Sequence, residues 1–252
     1  MAARQTRQRD HQLKEIQKEL EIAKRIQLSI LPAEFPAGPH FKVAARYVPM
    51  TSVAGDFYDY VLTGPDRAAI LIADVSGHGV PAALIASMVK LAAGSQRPNA
   101  DHPSQFLSGM NSALCGNTQG QFVTAAYVHL DSQTASIRYA AAGHPPMLRL
   151  RGTSVEEVEE NGLILAAFDF ATYSEISHQL NPGDRLLLYT DGIIEAANKT
   201  GEFFGRERLA MILTETAGSP ASEAATKIVE KVQEWSVEQE DDLTVIVCEF
   251  SI

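Results

Sequence analysis

The sequence predicts an α+β protein in which mainly antiparallel sheets pack in layers under helices. Three observations predict it. Apolar runs of strand length recur along the chain, several around short turn signals such as Asp131-Ser132-Gln133 and Asn181-Pro182-Gly183-Asp184. Helical stretches fall in two pairs, 81–91 with 103–115 and 205–215 with 221–235. The run from Ala68 to Asp74 is almost continuously apolar, as expected of a strand covered on both faces.

Residues 1–31 differ from the rest. Arg4, Arg7 and Arg9 open a polar stretch with no glycine or proline before Pro32. Within it Leu13, Ile16, Leu20, Ala23, Gln27 and Ile30 alternate spacings of three and four, which is a heptad seam, and Ile22 and Ile26 widen the stripe. The pattern fits an amphipathic helix lying on its own domain. It also fits a coiled-coil regulatory helix that pairs with a second copy or an upstream module, although so short a seam makes a weak dimer by itself. Leu31-Pro32 closes the helix, and Pro32, Pro36 and Pro39 mark 32–40 as a linker ahead of a domain over 41–252.

Strands are predicted at 41–48 and 53–62, then a turn at Thr63-Gly64-Pro65-Asp66 and a strand over 68–74. Pro81 suits the first turn of a helix reaching Leu91, and a second helix covers 103–115. Residues 121–130 and 134–141 read as a hairpin, followed by a strand at 146–151. A further strand pair is expected from 173–180 and 184–190, then helices at 205–215 and 221–235 and a closing strand at 242–250.

The bulk composition narrows the function. A 45% hydrophobic, 21% charged chain is ordinary for a globular protein, and a formal charge of −10 opposes binding to nucleic acid or an anionic membrane. Cys115 and Cys248 stand far apart with no Cys-x-x-Cys or Cys/His cluster, so a thiolate zinc site is not expected and a reducing compartment is. The first thirty residues lack the apolar core of a signal peptide, and no apolar run reaches spanning length. These features suggest a cytoplasmic protein.

Chemistry concentrates at the aspartates. Asp74 ends an apolar strand and leads into Val75-Ser76-Gly77-His78-Gly79 and a helix. Asp191 ends another and is followed by Gly192, while Asp241 and Asp242 precede the closing strand. Asp56, in Ala54-Gly55-Asp56-Phe57-Tyr58-Asp59, sits in a strand-like stretch where an acid is disfavoured. Acids at the mouths of buried strands are costly to desolvate unless a cation shares the site, and no matching arginines or lysines lie beside them. Mg²⁺ or Mn²⁺ would satisfy such a set of oxygens. Each aspartate alone also fits an ordinary turn or cap. His78 and His144 fit metal ligands, proton donors or plain polar loop residues.

Taken in order, these segments resemble the SpoIIE/RsbU-type branch of the metal-dependent PPM phosphatases, the superfamily of the type 2C protein phosphatases. The resemblance rests on Ala54 to Asp59, Ala73 to Val80 with Ala82-Ala83-Leu84, and Ala142-Gly143-His144-Pro145-Pro146. It continues through Tyr189 to Ala196, Phe204 to Leu209 and Asp241-Asp242-Leu243-Thr244, with Glu21 to Gln27 and Leu31-Pro32 resembling the linker before such domains. Ala54 departs from the pattern, where a second glycine is usual; alanine costs little there unless the backbone needs a positive φ. The phosphate-binding arginine of eukaryotic relatives has no good counterpart, since Arg46 is a poor candidate.

The resemblance implies a four-layer αββα sandwich of two mainly antiparallel sheets flanked by helices. It implies two Mn²⁺ or Mg²⁺ ions, with Asp74 bridging them, the carbonyl of Val75 on one, and Asp191 and Asp241 completing the set. Asp56 would act from the edge, and Asp242 is the less favoured of its pair. The reaction implied is hydrolysis of a phosphoserine or phosphothreonine by a water activated between two metals, with His78 or a water protonating the leaving oxygen. The implied substrate is a phosphorylated STAS-domain anti-anti-sigma factor of a bacterial partner-switching pathway. A homodimer or an upstream sensor would act through the N-terminal helix. Two other readings stay open, a catalytically silent phosphoprotein-binding scaffold and a hydrolase of small phosphoesters or nucleotides.

Overall fold

One long helix, α1 (Ala2–Ile30), opens the chain and ends where Pro32 removes a backbone donor. The computed structural model describes residues 2–35 and 40–251, so the middle of the expected 32–40 linker, residues 36–39, lies outside the described residues. Along α1 the heptad seam is uneven. Leu13 and Ile16 are about half exposed, whereas Gln27 is buried and Leu31 just beyond the helix packs into the core. The helix therefore does not lie on its own domain along its length; its last turns dock and the rest projects.

Two sheets stack face to face. The first takes β1 (Phe41–Val48), β11 (Leu243–Phe250), β10 (Arg185–Tyr189), β6 (Met147–Arg151) and β7 (Ser154–Val158) in that order, every pair antiparallel. The second runs β2 (Phe57–Gly64), β3 (Arg67–Val75), β4 (Val123–Asp131), β5 (Ser136–Ala142) and β8 (Asn161–Gly162), with β9 (Ile176–Gln179) also pairing β5. Among the named strands of the described residues only the short β5–β8 pairing is parallel.

Helices cover both outer faces. The pair α2 (Gly79–Ser95) and α3 (Pro103–Leu114) packs on the second sheet, and α5 (Gly205–Glu215) and α6 (Ala221–Trp235) pack on the first. In α6 the buried residues Ala221, Ala224, Ala225, Ile228, Val229 and Val232 recur at helical spacing, which aims one stripe at β1 and β11. Alternation along β11 divides the core in two. Ile246, Cys248 and Phe250 face the second sheet, while Leu243, Val245 and Val247 face α5 and α6. The αββα sandwich implied by the resemblance is the observed architecture.

The structure corrects some of the predicted elements. Residues 53–56 are not strand, because β2 begins at Phe57 and leaves Asp56 in the preceding loop. Residues 173–180 and 184–190 do not pair with each other: β9 joins β5 of the second sheet and β10 joins the first. Helix α2 starts at Gly79, ahead of Pro81. Asp191 does not end a strand but opens a short helix, α4 (Asp191–Glu195).

Candidate metal centre

The predicted aspartates meet at one end of the sandwich because Asp56 and Asp241 precede β2 and β11, Asp74 and Asp191 lie at or just past the ends of β3 and β10, and each pair of strands runs antiparallel. In the second sheet Phe57 pairs with Ala73, which brings Asp56 alongside Asp74. In the first, Thr190 donates its N–H to the Thr244 carbonyl at 3.1 Å, which places Asp191 next to the Asp241-Asp242 entry to β11. The centre is thus shared between sheets.

The acids act on one another electrostatically. Burial raises the Asp74 carboxyl above its ordinary range, and the charges of Asp191, Asp241 and Asp242 raise it further. Asp56 is raised well above its ordinary value by burial and then by Asp74. Asp241 is pushed up to about 6 by burial first, with Asp191, Asp242 and Glu195 adding to it. Among the described residues no three acidic, histidine or cysteine side chains stand at ready-made ligand spacing. Closing the set needs a positive charge to offset this repulsion.

Two glycines make room for that closure. A β-carbon on Gly55 would lie 2.9 Å from the Val75 carbonyl oxygen, so only glycine lets the Asp56 loop approach it this closely. A β-carbon on Gly192 would overlap the Asp242 carbonyl and stand 3.1 Å from the Asp241 β-carbon. Carboxylates and a carbonyl crowded in this way, with no basic side chain among them, form an oxygen donor set suited to a hard divalent cation.

Side chains remote in sequence hold the Asp56 loop. Asp242 Oδ1 accepts the Met50 N–H and its Oδ2 accepts the Gly55 N–H, each at 2.7 Å. Both oxygens are thus occupied by this loop. Gln27 of α1 donates to the Ala54 carbonyl at 2.6 Å and accepts the Ala54 N–H at 2.9 Å. Ala54 does not have a positive φ, so alanine is tolerated there. Sequence alone does not reveal these roles of Gln27 and Asp242, since Gln27 reads as a seam position and Asp242 as half of an acidic pair.

The loop after Asp74 is set by backbone need. Gly77 and Gly79 take φ values of 87° and 74°, in the left-handed region that disfavours other residues. Ser76 is tied down by Phe122, whose carbonyl accepts its N–H at 2.9 Å, and by Gln121, which donates to its carbonyl at 2.7 Å. His78 caps α2 without a side-chain hydrogen bond and is exposed, near enough for its charge to favour the ionised form of Asp242.

His144 is a buried structural group. Its Nδ1 lies 3.0 Å from the hydroxyl of Thr124, which pairs with Asp74 across β3 and β4. Burial lowers its pKa to about 3, which keeps it neutral. Arg46 stands on β1 in a groove with Thr226, Lys227 and Glu230 of α6, outside the acidic centre.

A sandwich of this kind with acids gathered at one end of its sheets is a PP2C-type phosphatase domain. The SiaA-PP2C domain of Pseudomonas aeruginosa has the same fold with a TM-score of 0.86 at 27% identity, covering 95% of this chain and 98% of that one. The chain belongs to the SpoIIE family, whose model, described as Stage II sporulation protein E, matches residues 64–251. "Phosphoserine phosphatase RsbU" of Bacillus subtilis (strain 168) is 32% identical over 239 residues, which is 92% of this chain and 70% of that protein. A fold neighbour at 15% identity and a TM-score of 0.64, covering 84% of this chain and 99% of its own, is the catalytic domain of the phosphatase PstP in complex with two manganese ions.

Proposed function

We propose that the chain dephosphorylates a serine or threonine on a STAS-domain anti-anti-sigma factor in a bacterial partner-switching pathway, using Mn²⁺ or Mg²⁺, two per site. The observation that carries the metal reading is the convergence of Asp56, Asp74, Asp191 and Asp241 from two sheets, with close backbone approaches that Gly55 and Gly192 permit. Asp74 would bridge the ions, with Asp191, Asp241 and the Val75 carbonyl as further ligands and Asp56 at the edge. Bound there, the ions would activate the attacking water, orient the phosphoryl group and neutralise its charge.

The chain's own residues set the rest. The left-handed glycines shape the loop that presents His78, the proposed proton donor to the leaving oxygen. The formal charge of −10 disfavours nucleic acid as substrate, and the likeness to RsbU favours a phosphoprotein. Residues 1–31 are proposed as a regulatory helix, 32–40 as its linker and 41–252 as the phosphatase domain. The half-exposed Leu13 and Ile16 suit pairing with a second copy or with a sensor. No described helix is long and apolar enough to cross a membrane, and we place the protein in the cytoplasm.

Hydrolysis of p-nitrophenyl phosphate with Mn²⁺, with Mg²⁺ and with EDTA tests the metal reading. Turnover that needs metal and is lost in Asp74→Asn is expected; turnover in EDTA overturns it. Faster turnover of a phosphorylated STAS protein than of free nucleotides is expected next, and the reverse order would overturn the substrate assignment.

A further inference from the structure

Asp56 is fixed from the opposite sheet. Its carboxyl is buried, and one oxygen, Oδ2, accepts the Thr190 hydroxyl at 2.8 Å and the Thr244 hydroxyl at 2.5 Å. The Thr190 oxygen also accepts the Thr244 N–H, at 3.2 Å. Each hydroxyl has one proton to give, and both are directed to Oδ2 of Asp56. Thr190 lies at the end of β10 and Thr244 within β11, both in the first sheet, whereas Asp56 precedes β2 of the second.

A carboxylate held through its side chain alone turns broadly about its last torsion. Two donors on the same oxygen remove that freedom. They occupy Oδ2 and leave Oδ1 without a protein hydrogen-bond donor among the described residues. Because Phe57 pairs with Ala73, Asp56 stands level with Asp74 across the strand pair, at the edge of the acidic centre.

We propose that Thr190 and Thr244 are positioning residues, whose hydroxyls engage one oxygen of Asp56 so that the other is presented to a divalent cation. This rests on the metal-centre reading above and assigns a role to two residues that touch neither substrate nor metal. Partners that orient a ligand carboxylate in this way typically change metal affinity or activity by about 10- to 100-fold when removed. A threonine that merely satisfied a buried acid would change stability and leave metal uptake alone.

The test is calorimetric titration of Mn²⁺ into the full chain and into Thr190→Val, Thr244→Val and the matching serine variants, with melting curves in EDTA. Each valine variant keeps one hydroxyl on Oδ2, so a donor remains to support the fold. Expected is Mn²⁺ binding weaker by about tenfold or more in each valine variant, with serine restoring most of it. In an Asp56→Asn background, adding Thr244→Val should weaken binding little further. Folded valine variants that bind Mn²⁺ as tightly as the unmodified chain would overturn the proposal alone, as would serine variants as weak as valine. No uptake by the unmodified chain would overturn the metal-centre reading and this inference with it.

Discussion

The side chain of Gln27 closes a pair of hydrogen bonds on the backbone of Ala54, two residues before Asp56, so the last turns of α1 are built into the wall of the acidic centre. Replacing Gln27 with leucine leaves the Ala54 N–H and carbonyl without partners in a buried place, at about 1–3 kcal/mol for each group. The expected outcome is lower stability and a higher Mn²⁺ concentration for half-maximal turnover. Urea unfolding and a metal titration of activity check it. Deleting residues 1–31 should change both activity and oligomeric state; if it changes neither, the regulatory reading of α1 fails.

Asp74 is the acid on which the other charges converge. Asp74→Asn removes a carboxyl whose ionisation burial and like-charged neighbours disfavour. In EDTA it is therefore expected to melt higher than the unmodified chain, while turnover falls to background. Thermal melts and p-nitrophenyl phosphate hydrolysis report the two effects separately.

The raised carboxyls give metal-free stability a defined pH dependence. Asp241, Asp74 and Asp56 hold protons in the folded chain at pH values where the unfolded chain has released them. Their contribution is thus fully present below the unfolded value of about 4 and is lost as pH rises through the folded values, about 6 for Asp241 and higher for Asp74. Melting temperature in EDTA should fall between pH 5 and pH 8 through this cluster, and Mn²⁺ should flatten the fall. A metal-free melt that rises over this range in the unmodified chain, with the same rise in Asp74→Asn, contradicts the assignment.

Gly55 approaches the Val75 carbonyl more closely than a side chain allows. Gly55→Ala must push apart two backbone segments that both frame the centre. A displacement of even ~1 Å typically costs about 100-fold in rate, so turnover should fall by about that factor. Raising Mn²⁺ should recover part of the loss, which a kinetic titration would show.

Asp242 holds two backbone N–H groups, and Asp242→Ala would free both. Destabilisation of about 1–3 kcal/mol per stranded donor is expected, together with weaker Mn²⁺ binding as the Asp56 loop loosens. Chemical denaturation and calorimetry measure these, and a variant that unfolds as the unmodified chain does would contradict the clamp.

What is legible in the sequence follows from the range of the forces involved. Strand β1 and helices α5 and α6 lie where periodicity and turn residues put them, because each is bounded by local signals and buries one regular face. The loop before Phe57 reads as strand, since its apolar residues resemble one. What holds it are Gln27 and Asp242, 27 and 187 residues distant from the groups they bind at Ala54 and Gly55. Asn181 to Asp184 does turn the chain, but a turn signal cannot say that the strands on its two sides enter different sheets. The aspartates are visible as acids at strand mouths. Thr190 and Thr244 are not, because threonine in or beside a strand is ordinary by propensity and nothing local marks its hydroxyl as bound to a distant acid.

The inner core between the sheets has a bearing on rate as well as on folding. Leu188 and Ile246 carry no reactive group, yet they are buried in the core between the two sheets whose ends bear Asp74 and Asp191. Such residues act as shims: their bulk sets the gap that the acids must span. Thinning that layer by a methylene or two would detune the centre before it threatened the fold, whereas the same loss under α6 would register in stability alone.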